Sequence, residues 1–463
     1  MSYNFIRYDQ EQQHLLAKSV ADWIEEDSLE RFVSDTVDYL DEEDRLEPFY
    51  PEASDDGRGR PQYHPVLMLK ILIFGYCVGV RSSRQLDRLL ERDIAFRYLA
   101  ANQQPDFRTI SLFRKHHREE FEQLFVEIVE LCREVGMVDL GEVAIDGRRV
   151  QGDSALEANR TREQIEEEIQ EILDEAAAID QKEDEEYGPE KRGDELPEEL
   201  RDKQDRLDRL REAKRQLDQQ EEQLKEEQRE KIRERDREAA ETGQKKRGRN
   251  PKPPEDVELD DDTKANVTDP ESQTLKTHDG WAQGYTGQAA VDTTFQIIVA
   301  QYVTTDANDV NQLEPVVEQC EDIHDERPEN VLADAGYWQE SITELQDEQT
   351  ELYVATTKDW KRRKELAEQG PPVGRIPDDY GPKELMERKL RTKPGRCMYR
   401  KRAQTVEPVF GQHVNRGCDR FMLGGKKGAQ AEWSLFSATH NLLKLWRADK
   451  SSDVPVVANV ISR

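Results

Sequence analysis

Two short apolar runs, each ending in an aspartate, constrain what this chain can fold into. In VAIDGRRV (143–150), Val143, Ala144 and Ile145 read as a buried strand, and Asp146 stands where the strand emerges. Gly147 then frees the backbone before Arg148 and Arg149. NVLADAGY (330–337) repeats the pattern: Val331 and Leu332 are strand residues, and Asp334 emerges before Ala335–Gly336–Tyr337. If the two strands are neighbours, their carboxylates lie side by side, an arrangement that is costly unless a proton or a cation compensates. Asp146 is therefore either one half of a surface ion pair with the arginines or a metal ligand. Oxygen-only ligands of this kind suit Mg²⁺. Two such ions about 4 Å apart hold the attacking and leaving oxygens of a phosphodiester during in-line displacement.

Other strand-like runs surround the pair. GYTGQAAVD (284–292) and FQIIVAQYVTT (295–305) read as paired strands, DVNQLEPVVEQCEDI (309–323) as an amphipathic helix, and TELYVAT (350–356) as a further strand. AEWSLFSATHNLLKLWRA (431–448) reads as a closing amphipathic helix. The sum is a mixed α/β core of five strands with helices.

Residues 1–135 read as helical instead, giving an N-terminal all-α domain over 1–138. SSRQLDRLLERDIAFRYLA (82–100) opens on serine caps, and PDFRTISLFRKHHREEFEQLFVEIVELCREV (105–135) places Asp106 or Thr109 at a helix start. Short helices joined by tight turns, the last carrying Arg108, Arg114, Lys115, His116 and His117, form either a DNA-contacting helix-turn-helix or a plain bundle with basic residues facing water.

Between the two aspartates the chain changes character. Ile165, Ile169, Ile172, Ala176 and Ile179 form a heptad seam flanked by charge, and Leu200, Leu207, Leu210, Leu217 and Leu224 continue a weaker one. Two antiparallel helices fit, a coiled-coil hairpin turning at GPEKRGDELP and ending in the basic linker KKRGRNPKPP (245–254). The expected divisions are therefore 139–159 with 262–450 for the core, 160–261 for the insertion and linker, and 451–463 for a flexible tail.

Composition limits the setting. Five scattered cysteines with no C-x-x-C pair exclude a disulfide framework and fit a reducing cytoplasm. The start has no apolar signal-peptide region. The longest apolar run, VLMLKILIFGYCVGV (66–80), is too short for a membrane span and carries Lys70. The formal charge of −32 belongs either to a protein with acidic or small-molecule partners or to one from a high-salt cytoplasm. The spread of acids along the whole chain favours the halophile.

A third acid stands in CMYRKRAQTVEPVFGQHVNRGCDRF (397–421), which is basic around the single Glu407. Pro408 suits the first position of a helix, which puts Glu407 at its N-terminal boundary. Arg400, Lys401, Arg402, Arg416 and Arg420 make this a stretch where a phosphate backbone would lie, or else a surface helix with mixed ion pairs.

With these segments together, the chain resembles the DDE transposases of bacterial and archaeal insertion sequences, of the type with an RNase H-like core and a Tyr-Arg-Glu-Lys signature around the last acid. GRGRPQYHPVLMLKILIFGYCVGVRSSRQL and PDFRTISLFRKHH carry the likeness in the helical region, and AIDGRRVQGDSA, DGWAQGYTGQAAVD, VLADAGY, VEPVFGQ and EWSLFSATHNLLKL carry it in the core. The resemblance implies that Asp146, Asp334 and Glu407 are catalytic metal ligands for Mg²⁺, two ions in all, with Mn²⁺ able to substitute. It matches Tyr399 and Arg402 to the first two signature positions. Four residues separate Arg402 from Glu407 where the signature has three, and Val414 stands at the position of its Lys. That lysine's DNA contact would pass to Arg416. Arg148 and Arg149 stand where Thr-Lys is common, and with Arg114 and Lys115 they complete the expected DNA-binding set. Implied partners are double-stranded DNA, as terminal inverted repeats and target, and further copies of the chain in a homodimer or larger assembly. The implied reaction is cleavage at transposon ends followed by 3′-hydroxyl strand transfer. Two rivals are an RNase H-like nuclease and a non-catalytic DNA-binding or coiled-coil protein derived from a transposase.

Overall fold

A computed structural model describes residues 19–50, 62–187, 198–242, 251–277, 280–306, 308–377 and 379–451. The proposed hairpin turn, most of the basic linker and nearly all of the expected tail lie outside these residues.

The first helix, α1 (Leu29–Glu42), buries Val33, Val37 and Leu40, one stripe at helical spacing. It packs on α2 (Pro65–Cys77), where Pro65 takes a first-turn position and every residue except Lys70 is buried. The Lys70 ammonium leaves the apolar layer by pairing with Asp38 on α1 at 2.6 Å. The run 82–100, read as one segment, is two helices, α3 (Ser83–Arg92) and α4 (Ile94–Leu99). Asp93 makes the break: its carboxylate accepts from the backbone N–H groups of Ala95 and Phe96 at 2.9 and 3.2 Å, capping α4. Likewise 105–135 divides into α5 (Phe107–His116) and α6 (Glu120–Glu134), with Asp106 capping α5 through Thr109 N at 2.7 Å.

Strand β1 (Val143–Gln151) opens the sheet and is followed by a short β2 (Asn159–Thr161). Two long helices come next, α7 (Arg162–Tyr187) and α8 (Glu198–Thr242), and then β3 (Lys264–Asn266), which pairs with β2. The helices run antiparallel, since Arg162 pairs with Glu221, Glu166 with Lys214 and Glu168 with Arg206. Such exposed pairs contribute little each. The packing rests on Ile165, Leu210, Ala213 and Leu217, which share a small buried cluster with Ala265 and Val267 beside the base of the insertion. Leu224, expected in the seam, is exposed.

The remaining strands are β4 (Gln273–Thr277), β5 (Gly280–Asp292) and β6 (Ile298–Thr304), then, after helix α9 (Leu313–His324), β7 (Asn330–Ala333) and β8 (Glu351–Val354). All five expected strands are present in one mixed sheet, in the order β6-β5-β1-β7-β8. The sheet has six strands rather than five, because β4 pairs with the first half of β5 while β6 pairs with the second. QTLKT has one apolar residue, Leu275, and gives no alternation to read. β1 lies antiparallel to β5 and parallel to β7.

Three helices follow, α10 (Trp360–Glu368), α11 (Pro382–Arg391) and α12 (Lys393–Asn415), and α13 (Lys426–Ser451) closes the described chain. The expectation of an amphipathic closing helix fails: α13 is buried without interruption from Gly428 to Leu443. It is a middle layer, with α2 and α6 on one side and β5 and β6 on the other. Its polar side chains serve the sheet backbone. Asn441 Oδ1 accepts from Ile298 N and its Nδ2 donates to Ile298 O, both at 2.9 Å, while Trp433 Nε1 donates to Gln288 O. Gly287 makes the close approach possible, since a Cβ there would lie 2.6 Å from the Trp433 ring. One continuous apolar core therefore runs from Val33 on α1 to Leu445 on α13. The division at 138 is one of sequence, not of packing.

Candidate active site

The register of β1 and β7 decides where the two aspartates meet. Val143 faces Val331, Ala144 faces Leu332 and Ile145 faces Ala333. One step further along both strands are Asp146 and Asp334. Asp146 Oδ1 accepts from Gly147 N at 2.9 Å, and Asp334 Oδ1 accepts from Gly336 N. Arg402 on α12 donates from Nη1 to Asp146 Oδ2 at 2.7 Å. Burial pushes the Asp146 carboxyl up to about 6; Arg402 opposes this, and the charge of Asp334 adds to it. Burial also raises the Tyr399 phenol, against the Arg402 guanidinium that donates to it and with the Asp334 charge that faces it. Asp146, Asp334, Tyr399 and Arg402, singled out at widely separated positions, thus converge on one end of the β1–β7 pair.

The donors are all oxygens and the one cation among them is a guanidinium, so the site suits a hard divalent ion that shares its charge with waters or phosphate. Glycines keep the space open. A Cβ on Gly336 would stand 2.7 Å from Asp334 Oδ1, and one on Gly147 would collide with the Asp309 and Gln288 side chains.

Glu407 departs from expectation. It does not begin a helix: α12 runs through it, with Pro408 in the helix interior. Proline there cannot bond the carbonyl four residues back, and that carbonyl, of Gln404, accepts instead from Gln296 Nε2 at 3.1 Å. Glu407 is exposed, and among the described residues no group of three or more His, Cys, Asp and Glu side chains is placed to hold one ion. Five residues of helix are a rise of about 7.5 Å, so Glu407 lies well along α12 from the Arg402–Asp146 contact.

The expected DNA contacts divide. Arg114 is buried, donating to Arg81 O at 3.0 Å and Ser83 Oγ at 2.7 Å, and Arg416 is buried with its Nη1 on Thr439 Oγ1 at 2.8 Å. Both lie in the packing between elements, where no backbone phosphate reaches them. Their charge pattern matched a surface, but desolvation is offset here by carbonyl and hydroxyl acceptors. Arg148 is half-buried, its charge bearing on His413 and Cys418, and Arg149 is exposed with Nη1 on Lys276 O. Lys115 is exposed on α5.

Three residues at the site carried no signal in the sequence reading. Gln288 on β5 faces Gly147 across the sheet and donates from Nε2 to Asp309 Oδ1 at 2.8 Å. Tyr337, fully buried, donates its hydroxyl to Gln288 Oε1. Burial, and then the charges of Asp309, Asp146 and Asp334, hold that phenol well above its ordinary range.

Comparison with known families gives two matches. A transposase domain (DUF772) matches residues 18–116, and a transposase DDE domain matches residues 378–446. Together they support an insertion-sequence DDE transposase. The second match contains Tyr399, Arg402 and Glu407; Asp146 and Asp334 lie outside both. DDE transposases are DNA-cutting, DNA-moving enzymes that generally use divalent metals, so the family implies DNA as partner. No curated protein and no solved structure matches the chain. No described helix is long and apolar enough to cross a membrane.

Proposed function

We propose that the chain cleaves DNA at the ends of its own insertion sequence and joins the freed 3′-hydroxyl to target DNA, in a Mg²⁺-dependent reaction on an RNase H-like core. The observation that carries this is the adjacency of Asp146 and Asp334 at the end of the parallel β1–β7 pair. A sheet with three antiparallel strands continued by two parallel ones, and acids at the strand ends nearest its centre, supports the RNase H-like assignment.

Asp146 and Asp334 would hold the metal, and Glu407 joins them through the family resemblance. A bound divalent ion supplies Lewis-acid stabilisation of the charge that develops on the phosphodiester. Arg402, which pairs with Asp146 here, would turn its positive charge to the phosphodiester once a metal takes up the carboxylate. Tyr399 orients that guanidinium. Lys115 and Arg149 remain exposed cations for the DNA backbone, and the α7–α8 hairpin is the proposed coiled-coil arm for assembly into a homodimer or larger complex. The charge of −32 fits a halophile's cytoplasm, in which DNA approaches an acidic protein under strong screening.

The test incubates the full-length protein with DNA carrying the element's ends, a supercoiled plasmid and Mg²⁺. Cleaved ends and plasmid joints are expected. Cutting without joining would make the protein a nuclease, and no cutting with either Mg²⁺ or Mn²⁺ would contradict catalysis altogether.

A further inference from the structure

We infer that α5 reads base edges in the major groove of double-stranded DNA, with Arg108, Ser111 and Leu112 on the bases and Arg84 and Arg88 of α3 on the flanking phosphates. This rests on the reading of DNA as the partner and not on the metal chemistry. One side of α5 is committed to packing. Ile110 and Arg114 are buried there, and Arg114 ties the helix to the start of α3 by donating to Arg81 O at 3.0 Å and Ser83 Oγ at 2.7 Å. The opposite side carries Arg108, Ser111, Leu112, Lys115 and His116, all exposed and at helical spacing, so they share one face. The helix is thus held rigidly by one face while the other is presented outward.

The charge of that face sets it apart. The chain has 100 Asp and Glu residues, yet none lies between Asp106 and Glu119. Those two flanking acids are already engaged, Asp106 in capping α5 through Thr109 N at 2.7 Å and Glu119 with Lys427 Nζ at 2.6 Å. Helix α3 lies against α5 and exposes Arg84, Arg88 and Arg92 beside the single exposed acid Glu91. The two helices meet at the Phe107 ring, with the Arg84 and Arg108 guanidiniums 5.5 and 5.7 Å from its centroid. By contrast, cations on α7 and α8 are paired with Glu and Asp. A cationic face on a chain of net charge −32 fits a polyanion. Its composition fits the groove rather than the phosphates alone. Arginine pairs with guanine, a hydroxyl bonds either kind of base edge, and an apolar side chain such as Leu112, 50% exposed, meets a thymine methyl. The major groove, about 12 Å wide, admits one helix.

The test compares binding of the full-length protein to the element's terminal DNA and to unrelated duplex of the same length, across a range of salt concentrations. Arg108→Ala is expected to lower the preference for terminal DNA by about tenfold, and Leu112→Ala by less. Arg108→Lys keeps the charge but not the two-pronged donor, so preference should fall with the salt dependence unchanged. Arg84→Gln with Arg88→Gln should weaken both DNAs alike and reduce the salt slope by about two. Arg133→Gln, an exposed cation on α6, controls for net charge and should bind as the wild type does. Circular dichroism checks that each variant is folded. Unchanged preference in Arg108→Ala and Leu112→Ala would overturn the inference and leave DNA as the partner. Equal loss on both DNAs in Arg108→Ala, with full binding and preference in Arg108→Lys, would make α5 a phosphate contact and overturn base reading. If the wild type binds neither DNA, the inference and the DNA reading beneath it both fail.

Discussion

Asp146→Asn and Asp334→Asn are each expected to abolish strand cleavage while leaving binding to element ends within a few-fold. Both changes keep size and hydrogen-bonding capacity and remove the charge that a divalent ion requires. A metal contributes several kcal/mol of transition-state stabilisation, so loss of its ligand is on the order of a thousandfold in rate or more. The double variant should be no worse than either single one, because the two acids disable one centre. Glu407→Gln is expected to follow them, on the strength of the family signature. Stability should change little by comparison. An amide at position 146 no longer faces Asp334 as a like charge, but it also gives up the charge paired with Arg402. Cleavage of labelled end DNA, gel-shift binding and thermal melts on the same preparations check all three statements. Retained cleavage in Asp146→Asn would remove the metal mechanism.

The second large effect falls outside the site. Glu432 on α13 is fully buried. Its Oε1 accepts from Tyr76 Oη at 2.8 Å, and its Oε2 accepts from Met422 N and from Leu423 N, the latter at 3.2 Å. Arg114 Nη1 stands 4.0 Å away and is itself buried. One carboxylate thus joins α2 and α5 of the N-terminal region to α13 and the loop before it. Glu432→Ala strands a buried guanidinium, a phenol and two backbone N–H groups, and should cost about 3–5 kcal/mol. Glu432→Gln keeps one acceptor oxygen and should cost less. Urea unfolding followed by circular dichroism measures both, and an unchanged midpoint for Glu432→Ala would contradict this account of the join. An ordinary surface ion pair would show almost no change.

What the sequence made legible depended on how local the cause was. The two strand-end aspartates could be read because a short apolar run followed by Asp and Gly is a local pattern, and the β1–β7 register then made them neighbours. Asp309 was read only as the start of an amphipathic helix. Nothing around it marks a partner for β5, and only the turn between β6 and α9 brings it against Gln288. Pro408 misled because a proline usually opens a helix, whereas Gln296 from another element takes up the carbonyl that the proline leaves unbonded. The amphipathic reading of α13 failed for a related reason: layers cover both of its sides, so its polar residues answer to strand backbones rather than to water. Arg114 and Arg416 looked like surface cations because the acceptors that allow their burial come from distant segments.

The central claim is that Asp146 and Asp334 hold the metal that drives DNA chemistry. Anomalous scattering from a crystal of the full-length protein soaked in Mn²⁺ tests it most directly. The account predicts a manganese peak ligated by both carboxylates, with Arg402 drawn off Asp146 Oδ2. An ordered manganese bound elsewhere, with Asp146 still paired to Arg402 and Asp334 free of metal, would contradict it.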